Sequence, residues 1–433
     1  MELTGWGKYP ARVHRGVLAP ATLADVQSCL KRMNSHVLPR GNGRSYGDVC
    51  LNEGGYLILN RWLDHFVDFD PQTGRICCEP GVTFDDLLKI TVPHGWFLPV
   101  TPGTRFVTLG GAIANDIHGK NHHVAGSFGK HLQKITLLRS NGEIIECSPE
   151  ENARWFQATV GGLGLTGMII QAEIKLKKIP GPMIEVEAEP FTALSEFLRL
   201  SRLARSDWEY TVGWLDAANL QKFFGRGVLF KGRHIATHED GIKAKNRLSL
   251  TIPFDLPGVF PLRHLVKWYN RYYFRTQKGR RLRYLEDFFY PLDTVLHWNR
   301  LYGHRGLIQW QALIPEPHFL HVSERILGMM QAHRLPSYLV VVKDFGLMEP
   351  IGMLSFPGPG ITIAMDFPNT GEALLRMLDR FDALVLDAGG RIYPAKDARM
   401  QGEVFRASYP RYATFRDYID PKFSSSFWKR VMT

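Results

Sequence analysis

Three glycine-rich loops in the first half of the chain combine accessible backbone N–H groups with side chains that bind anionic oxygens. Glycine lets backbone N–H groups converge on a ligand without a Cβ in the way, and arginines and hydroxyls add charge-assisted hydrogen bonds. The loops are Arg40-Gly41-Asn42-Gly43-Arg44-Ser45-Tyr46-Gly47-Asp48, Pro102-Gly103-Thr104 with Thr108-Leu109-Gly110-Gly111-Ala112, and Gly161-Gly162-Leu163-Gly164-Leu165-Thr166-Gly167. One such loop is usually a surface turn, but three together favour a diphosphate ligand. None matches the lysine loop of nucleoside triphosphatases or the nicotinamide fingerprint, which disfavours both classes.

Histidine and lysine side chains that could handle a hydroxyl proton occur at two places. His118 and Lys120 lie in a polar stretch with His122 and His123, and Lys396 follows a pair of glycines near the end of the sequence. Taken alone, that stretch is typical of a solvated loop, and the lysine of a surface charge. Burial near cationic or apolar surroundings would lower the pKa of such a lysine towards that of a useful base.

Two glutamines separated by one residue could bind neutral hydroxyl groups. Gln309 and Gln311 flank Trp310 in a strand-like run, and alternate strand residues share a face, so both amides can reach one pocket. Without further context they would be read as exposed strand residues. Lys343, at the end of an apolar run, could pair with Asp366 or meet a phosphate.

Alternating helix-like and strand-like segments predict an α+β enzyme. At 433 residues the chain is too long for one ordinary compact domain, so two domains are expected. In the first part Thr22 can cap a helix, Asn141-Gly142 favours a hairpin, and Ser148 begins a capping-box sequence. A long strand is predicted over residues 165–178 and ends near Pro180, the expected domain boundary.

The second part predicts an antiparallel sheet followed by a helix. The strand-like stretches are Val212 to Leu215, Leu307 to Ile314, Leu339 to Val342 and Ile361 to Phe367. A helix is expected from about Gly371 to Ala388. We therefore expect one domain over residues 1–180, a second over 181–390, and a tail over 391–433 that could return to the first domain.

The net charge of +11 favours an anionic partner. Much of it lies in residues 260–284, here called the basic aromatic segment, which lacks acidic residues before Tyr284. Its basic and aromatic members are Arg263, Lys267, Trp268, Tyr269, Arg271, Tyr272, Tyr273, Phe274, Arg275, Lys278, Arg280, Arg281 and Arg283. Such a segment suits an anionic lipid surface, and a solvated helix or loop explains it equally well. Nucleic acid is disfavoured because no binding motif accompanies the charge.

The cysteines and the first residues indicate a reducing compartment. The five cysteines are odd in number, and none has the paired spacing of a zinc site, so no metal is expected. The start of the sequence lacks the features of a secretory signal, and no apolar run is long enough to span a bilayer. We expect a cytoplasmic protein that is soluble or peripheral at the inner face of the cell membrane.

The glycine loops, in this order and followed by Asp116 to His123, resemble the FAD-binding half of the vanillyl-alcohol-oxidase superfamily. More narrowly, the chain is similar to the family of decaprenylphosphoryl-ribose oxidases nearly end to end. The further motifs that carry this resemblance are Leu3-Thr4-Gly5-Trp6-Gly7, Tyr290-Pro291-Leu292-Asp293, Trp298-Asn299-Arg300, Gln309-Trp310-Gln311, Met365-Asp366-Phe367-Pro368 and Ala395-Lys396-Asp397. The resemblance implies a two-domain PCMH-type fold, with FAD between its first domain and an antiparallel-sheet substrate domain.

The resemblance also implies which residues hold the cofactor. Many superfamily members attach the flavin through a histidine in the first loop, but residues 40–48 contain none and no cysteine lies near the second loop, so non-covalent FAD is expected. The expected FAD-binding residues are Arg40, Gly41, Asn42, Gly43, Arg44, Ser45, Tyr46, Gly47, Pro102, Gly103, Thr104, Thr108, Gly110, Gly111, Ala112, Asn115, Ile117, His118, Gly161, Gly162, Gly164, Gly167, Ile169 and Tyr393.

The activity that the resemblance implies is oxidation of a polyprenylphosphoryl pentose at a secondary hydroxyl. The keto sugar would pass to a separate NAD(P)-dependent keto-reductase, which completes an epimerisation. Lys396 is the first choice as base or hydroxyl anchor, with His118 second. The expected substrate-binding residues are Lys120, Trp214, Gln309, Gln311, Lys343, Thr362, Ala364 and Asp366.

Two other functions remain open on the sequence. A flavin oxidase or dehydrogenase of free alditols or aldonolactones would share the FAD-binding half, but it would not need the basic aromatic segment. A non-catalytic basic binding protein would be colourless.

In mycobacterial members of the family a cysteine in the strand before Asp366 is captured by nitroaromatic inhibitors. In this sequence the corresponding residue is Ala364.

Overall fold

The computed structural model describes residues 1–236, 249–256 and 260–433, and its first part is built of short strands and helices. The strands are β1 (Glu2–Thr4), β2 (Ala11–Val13), β3 (Gly16–Leu18), β4 (Val37–Arg40), β5 (Tyr56–Leu59), β6 (Phe66–Asp70), β7 (Arg75–Cys78), β8 (Trp96–Phe97), β9 (Leu132–Leu138), β10 (Ile144–Cys147), β11 (Met168–Lys175) and β12 (Lys177–Lys178). The helices are α1 (Leu23–Arg32), α2 (Phe84–Thr91), α3 (Leu109–Ala114), α4 (His122–Ala125) and α5 (Ala153–Thr159).

Two small sheets carry the glycine loops. Strands β3, β5 and β4 are parallel, and the first glycine loop leaves the end of β4 at Arg40. An antiparallel sheet has the order β10-β9-β11-β7-β6, and the third glycine loop leads into β11. The second part of the second loop forms the start of α3, and the side chain of Thr108 caps this helix by accepting a hydrogen bond from Gly111 N.

Local sequence signals account for several of these elements. Thr22 caps α1 as expected, and Asp25 completes a capping box with it; Asn141-Gly142 joins the antiparallel strands β9 and β10. The capping-box prediction at Ser148 is wrong. Its hydroxyl accepts hydrogen bonds from the next residues in a turn, and α5 begins only after Asn152, which has φ of 51°.

The predicted strand over residues 165–178 is shorter than expected. Strand β11 begins at Met168, because Gly167 before it has φ of 143°, a conformation outside ordinary strand geometry. The predicted strand is also divided by its pairing, because β11 pairs with β9 and β7, whereas β12 pairs with β8. The strand therefore ends at Lys175 and resumes over two residues.

The second part forms one large antiparallel sheet with helices. Its strands are β13 (Met183–Phe191), β14 (Tyr210–Leu215), β15 (Gly227–Ile235), β16 (Leu250–Thr251), β17 (Gly279–Tyr284), β18 (Val295–Leu296), β19 (Leu307–Ile314), β20 (Leu339–Gly346) and β21 (Gly360–Pro368). Its helices are α6 (Leu194–Ala204), α7 (Phe260–Thr276), α8 (Leu285–Phe289), α9 (Phe319–Ala332) and α10 (Glu372–Asp387). The sheet order is β17-β13-β15-β14-β20-β21-β19-β22. The predicted α+β class and antiparallel sheet are confirmed.

Helices cover one face of this sheet and leave the other for the site. Phe197 of α6, Phe319 of α9 and Leu378 of α10 are buried in the same apolar cluster as alternate residues of β19, β20 and β21. Trp310 points into this layer and donates a hydrogen bond from Nε1 to Asp382 of α10 at 2.7 Å. Because strand side chains alternate, the neighbours of Trp310 face the opposite side.

The tail starts in the large sheet and then packs on the first part of the chain. It contains β22 (Arg391–Ile392), α11 (Gly402–Ser408), α12 (Tyr412–Phe415) and α13 (Ser426–Met432). β22 pairs with β19, while Val37 N donates to Lys422 O at 2.7 Å and Ser424 N donates to Val37 O. Arg430 donates to Asp48 at 2.7 Å and to Asp397 at 2.9 Å, which ties the tail to the first glycine loop.

The basic aromatic segment consists of α7, a short connection and β17. Asn270 is buried and donates to Asp216 Oδ1 at 2.9 Å, so this face of the helix is held on the large sheet. Trp268 and Tyr272 on the other face are 67% and 56% exposed. Among the described residues, no helix is both long and apolar enough to cross a membrane.

Candidate active site

A cavity of about 810 Å³ lies between the glycine loops and the open face of the large sheet. Most of the site residues expected from the sequence line it. From the first part of the chain these are Arg40, Gly41, Asn42, Gly43, Arg44, Ser45, Tyr46, Pro102, Gly103, Thr104, Thr108, Gly110, Gly111, Asn115, Ile117, His118, Lys120, Gly164, Gly167 and Ile169. From the remainder they are Trp214, Gln309, Gln311, Lys343, Thr362, Ala364, Tyr393 and Lys396.

Four expected FAD-binding residues lie behind the cavity wall. A Cβ on Gly47 would be 1.6 Å from the carbonyl oxygen of Asp397, so this glycine admits the tail. A Cβ on Gly161 would meet Ser355, and one on Gly162 would meet the carbonyl oxygen of Ala158. Ala112 is fully buried in the apolar core. In the described structure these four positions therefore support the loops and do not face the cavity.

The glycine loops and two unsatisfied polar atoms fit FAD. A Cβ on Gly41 would lie 2.2 Å from Thr108 Oγ1, so only glycine lets the first two loops approach each other here. Within the described residues, Asn115 Oδ1 and Arg44 Nε are buried without a hydrogen-bond partner, and both residues line the cavity. Buried polar groups are normally paired, which indicates a polar ligand. Cavities of this size hold cofactor-sized molecules.

The backbone of the tail places Lys396 beside the first glycine loop. Tyr46 N donates to Ala395 O at 2.9 Å, and Tyr393 N donates to Gln311 O at 2.9 Å. Directly after these anchors, Lys396 Nζ lies 4.0 Å from the centroid of the Tyr46 ring. Burial lowers the pKa of Lys396 to about 8. A lysine with such a pKa can hold or accept a proton near neutral pH.

Asp366 lies behind Gln309 and acts on Lys396 through its charge. Gln309 Nε2 donates to Asp366 Oδ1, whereas Asp366 Oδ2 has no partner among the described residues although the side chain is only 1% exposed. Burial raises the pKa of Asp366 to about 6. The carboxylate opposes the effect of burial on Lys396, because a nearby negative charge stabilises the protonated amine.

His118 is a neutral imidazole held between two other site residues. Its Nε2 lies 2.9 Å from Gln311 Nε2, and its Nδ1 lies 3.4 Å from Lys343 Nζ. The Gln311 amide also donates to Thr362 Oγ1 at 3.1 Å. Burial, and then the positive charge of Lys343, hold the pKa of His118 well below its usual value. His118 can therefore position Gln311 and Lys343 while it remains uncharged at neutral pH.

Lys120 and Lys343 are two amines that form no salt bridge with a carboxylate in the described part of the chain. Lys120 Nζ donates to Phe289 O at 2.8 Å and lies over the rings of Phe288 and Phe289. Burial lowers the pKa of both lysines to about 7, and the charge of Lys343 further lowers that of Lys120. Neither lysine forms a salt bridge with an acidic side chain in the described ranges, although the charge of Asp293 opposes the lowering of the pKa of Lys120. An anion in the cavity would stabilise both ammonium forms.

The cavity also has an apolar wall that the sequence did not assign to a site. Its members from the large sheet and α7 are Val212, Phe230, Tyr269, Tyr273, Leu339 and Val341. In the sequence, apolar residues at alternate strand positions have the same pattern whether they face a core or a cavity. Knowledge of which sheet face the helices cover would have been needed to find them.

Comparison with known proteins supports a flavoprotein oxidoreductase. Residues 14–148 match the domain family described as an FAD binding domain. The chain is 34% identical to the decaprenylphosphoryl-β-D-ribose oxidase of Mycolicibacterium smegmatis over 99% of this chain and 97% of that protein. It is 27% identical to cytokinin dehydrogenase 10 of Oryza sativa over 46% of this chain and 39% of that protein. It is 28% identical to bovine L-gulonolactone oxidase over 36% of each chain.

Proposed function

Because the chain belongs to the decaprenylphosphoryl-β-D-ribose oxidase family, and is therefore an FAD-dependent oxidoreductase acting on CH–OH groups, we propose that it oxidises a polyprenylphosphoryl pentose. The secondary ring hydroxyl becomes a keto group. The observation that carries this proposal is the meeting, around one cavity, of two amides that suit hydroxyl groups, a lysine of lowered pKa and two lysines that form no salt bridge among the described residues. When bound, FAD supplies the hydride acceptor for the carbon that bears the hydroxyl.

Lys396 is the proposed base or hydroxyl anchor. Loss of a hydride from carbon requires loss of the hydroxyl proton, and a neutral amine at Nζ can take that proton. Gln309 and Gln311 would fix the sugar through their amide groups, which suit neutral hydroxyls. The contacts of His118 with Gln311 and Lys343 support a positioning role for the imidazole.

Lys120 and Lys343 are the proposed contacts of the substrate phosphate. Their mutual repulsion would be relieved by a phosphodiester between them, whose single negative charge is shared by two oxygens. A free alditol or aldonolactone offers no such charge. The pair of lysines therefore favours a phosphorylated substrate over the free sugars that the same FAD-binding half could serve.

A peripheral position at the inner face of the cell membrane completes the proposal. The exposed basic and aromatic side chains of α7 suit an anionic lipid surface, where a polyprenylphosphoryl substrate would reside. The keto product would pass to a separate NAD(P)-dependent keto-reductase. Nucleic acid has no part in this proposal.

Anaerobic reduction of the bound flavin tests the proposed oxidation. The purified holoenzyme is mixed with a polyprenylphosphoryl ribose and, separately, with ribose, xylitol and gulonolactone, while the flavin absorbance is followed. We expect bleaching with the phosphoryl sugar at substrate concentrations at which the free compounds give none. Reduction by a free alditol or lactone, but not by the phosphoryl sugar, would contradict the proposal.

A further inference from the structure

The cavity-facing side of the large sheet changes from polar to apolar across its strands. One row of paired residues runs from Gln311 on β19 to Ala364 on β21, then to Val341 on β20. Val341 in turn pairs with Trp214 on β14. The row thus begins with an amide and ends with an indole three strands away.

The neighbouring row shows the same change. Thr362 on β21 pairs with Lys343 on β20, while further along the sheet Val212 on β14 pairs with Phe230 on β15. All four residues line the cavity. The polar half of this surface lies over β19 and β21, the apolar half lies over β14 and β15, and β20 forms the border.

Helix α7 covers the apolar half of this sheet surface. The Tyr273 ring lies 4.9 Å from the Trp214 ring and 6.1 Å from the Phe230 ring, measured between centroids. Tyr269 stacks on Tyr273 at 5.6 Å and is 50% exposed, although it also lines the cavity. The apolar half therefore leads from the border strand to the outer surface of α7, beside the exposed Trp268.

A molecule that matches this surface must have an anionic group followed by an apolar chain. Lys343 stands on the border strand, and Lys120 lies on the adjoining wall with its ammonium group over two phenyl rings. A phosphate at the two lysines would place any ester chain over Val341, Trp214 and Phe230. Resting on the proposed function, we infer that the apolar channel between β14, β15, β20 and α7 binds the first isoprenoid units of the substrate's lipid chain.

Binding of sugar-free prenyl phosphates tests this channel directly. The probes are inorganic phosphate, dimethylallyl phosphate and geranyl phosphate, each titrated into the FAD-loaded enzyme by calorimetry below the micellar concentration of the lipid. Each isoprene unit that enters an apolar channel should lower Kd by about tenfold or more. Equal dissociation constants for the three probes would overturn the inference.

An isosteric variant locates the binding. Val341→Thr keeps the size of the side chain and adds a hydroxyl to the channel, so Kd for geranyl phosphate should rise by about fivefold or more, while Kd for inorganic phosphate stays unchanged. Val67→Thr is the matched control, because Val67 is exposed on β6 and does not line the cavity. Unchanged binding of geranyl phosphate to the Val341 variant would overturn the assignment. Retained flavin absorbance and melting temperature show that the variant is folded, and the wild-type series remains decisive if it is not.

The test separates this inference from the proposed oxidation. Prenyl phosphates carry no sugar, so their affinity reports the channel alone, whereas flavin reduction reports the chemistry. If no phosphoryl pentose reduces the flavin but affinity still rises with chain length, the oxidation fails and the channel stands. If the phosphoryl pentose reduces the flavin and chain length has no effect on binding, the channel fails and the oxidation stands.

Discussion

Lys396 is the residue on which the proposed chemistry depends most. Its amine is held beside Tyr46 by the backbone of the tail, and the glycine loops expected to bind FAD do not use its side chain. We expect Lys396→Ala to keep the yellow colour and to slow flavin reduction by substrate about a hundred- to ten-thousandfold, the usual contribution of a general acid–base group. Stopped-flow single turnover measures this rate. Lys89→Ala, at an exposed position on α2, is the control, and a near-normal rate in the Lys396 variant would remove the residue from the mechanism.

The pH dependence of flavin reduction should report Asp366 as well as Lys396. A base must be unprotonated, so the rate should rise with pH and level off above the pKa of Lys396, at about 8. The Asp366 carboxylate stabilises the protonated amine of Lys396. The charge of Lys396 in turn lowers the pKa of Lys343 and of His118, and the Tyr46 ring lies next to the amine. Asp366→Asn removes the negative charge, so the midpoint should move to lower pH. A midpoint that stays or rises would show that Asp366 does not act through Lys396.

Ala364 removes a nucleophile from the cavity wall. It lies between Gln311 and Val341 in the sheet, where the resemblance to mycobacterial enzymes implies a cysteine. Substrate-reduced flavin would supply the electrons that convert the nitro group to a nitroso group, and addition of a thiolate to that group would make the inhibition covalent. Alanine has no thiolate to add. After incubation with a nitroaromatic inhibitor and substrate, intact-mass measurement should show no stoichiometric adduct on the wild type. Ala364→Cys should acquire one, and an adduct on the wild-type chain would show that another residue is captured.

At this scale the sequence predicted the polar half of the site better than the apolar half. Gln309 and Gln311 were assigned to one pocket by strand alternation, and the position of Trp310 against α10 confirms the geometry. Lys396 and His118 had no distinguishing local pattern, so their assignment came from the resemblance. Val341 and Phe230 could not be assigned, because an apolar strand residue gives the same signal on either face.

Among the elements, α7 is the one whose role the sequence left open between a membrane contact and a solvated helix. Its buried side is fixed through Asn270 and Asp216, and its other side exposes Trp268 and Tyr272. We expect the protein to co-sediment with anionic vesicles more than with neutral ones, and to be released as salt rises, because basic side chains supply much of the attraction. Equal co-sedimentation with both vesicle types would contradict this role.

A pair of charge variants assigns the membrane contact to α7. Lys267→Ser with Arg271→Ser should weaken anionic-vesicle binding, since each basic residue near such a surface contributes about 1 kcal/mol. Arg199→Ser with Lys222→Ser removes the same charge elsewhere and should leave vesicle binding nearly unchanged. If the control pair weakens binding as much as the α7 pair, net charge rather than this helix is responsible.

Local sequence signals predicted the elements well where one partner was involved and poorly where several competed. The cap at Thr22 depends on side chains within one turn, and it was found where expected. At Ser148 the side-chain hydroxyl also accepts a backbone hydrogen bond, but there it stabilises a turn, and the helix begins only after Asn152. The predicted strand over residues 165–178 broke where its neighbour changed from β7 to β8, which is a tertiary event that a local pattern does not contain.

For the molecule as a whole, the flavin should be held by contacts alone. The wall of the cavity from Arg40 to Tyr46 contains no histidine, and no cysteine occurs in the sequence from residue 79 to residue 146, which includes the second glycine loop. Acid precipitation or heat denaturation should therefore release all of the FAD into the supernatant, where its absorbance and fluorescence can be measured. Yellow colour that stays with the precipitated chain would show a covalent attachment.

The contacts between the tail and the first glycine loop mean that this loop is completed late in the synthesis of the chain. In the first glycine loop, Tyr46 is bound by Ala395 and Asp48 is bound by Arg430. The loop can gain these contacts only after residues 391–433 have emerged from the ribosome, and residues 181–390 are synthesised before them. A nascent chain that ends before the tail would carry the glycine loops but not their support. Cofactor capture is then a late event, and we expect chains truncated at residue 390 to be purified without flavin.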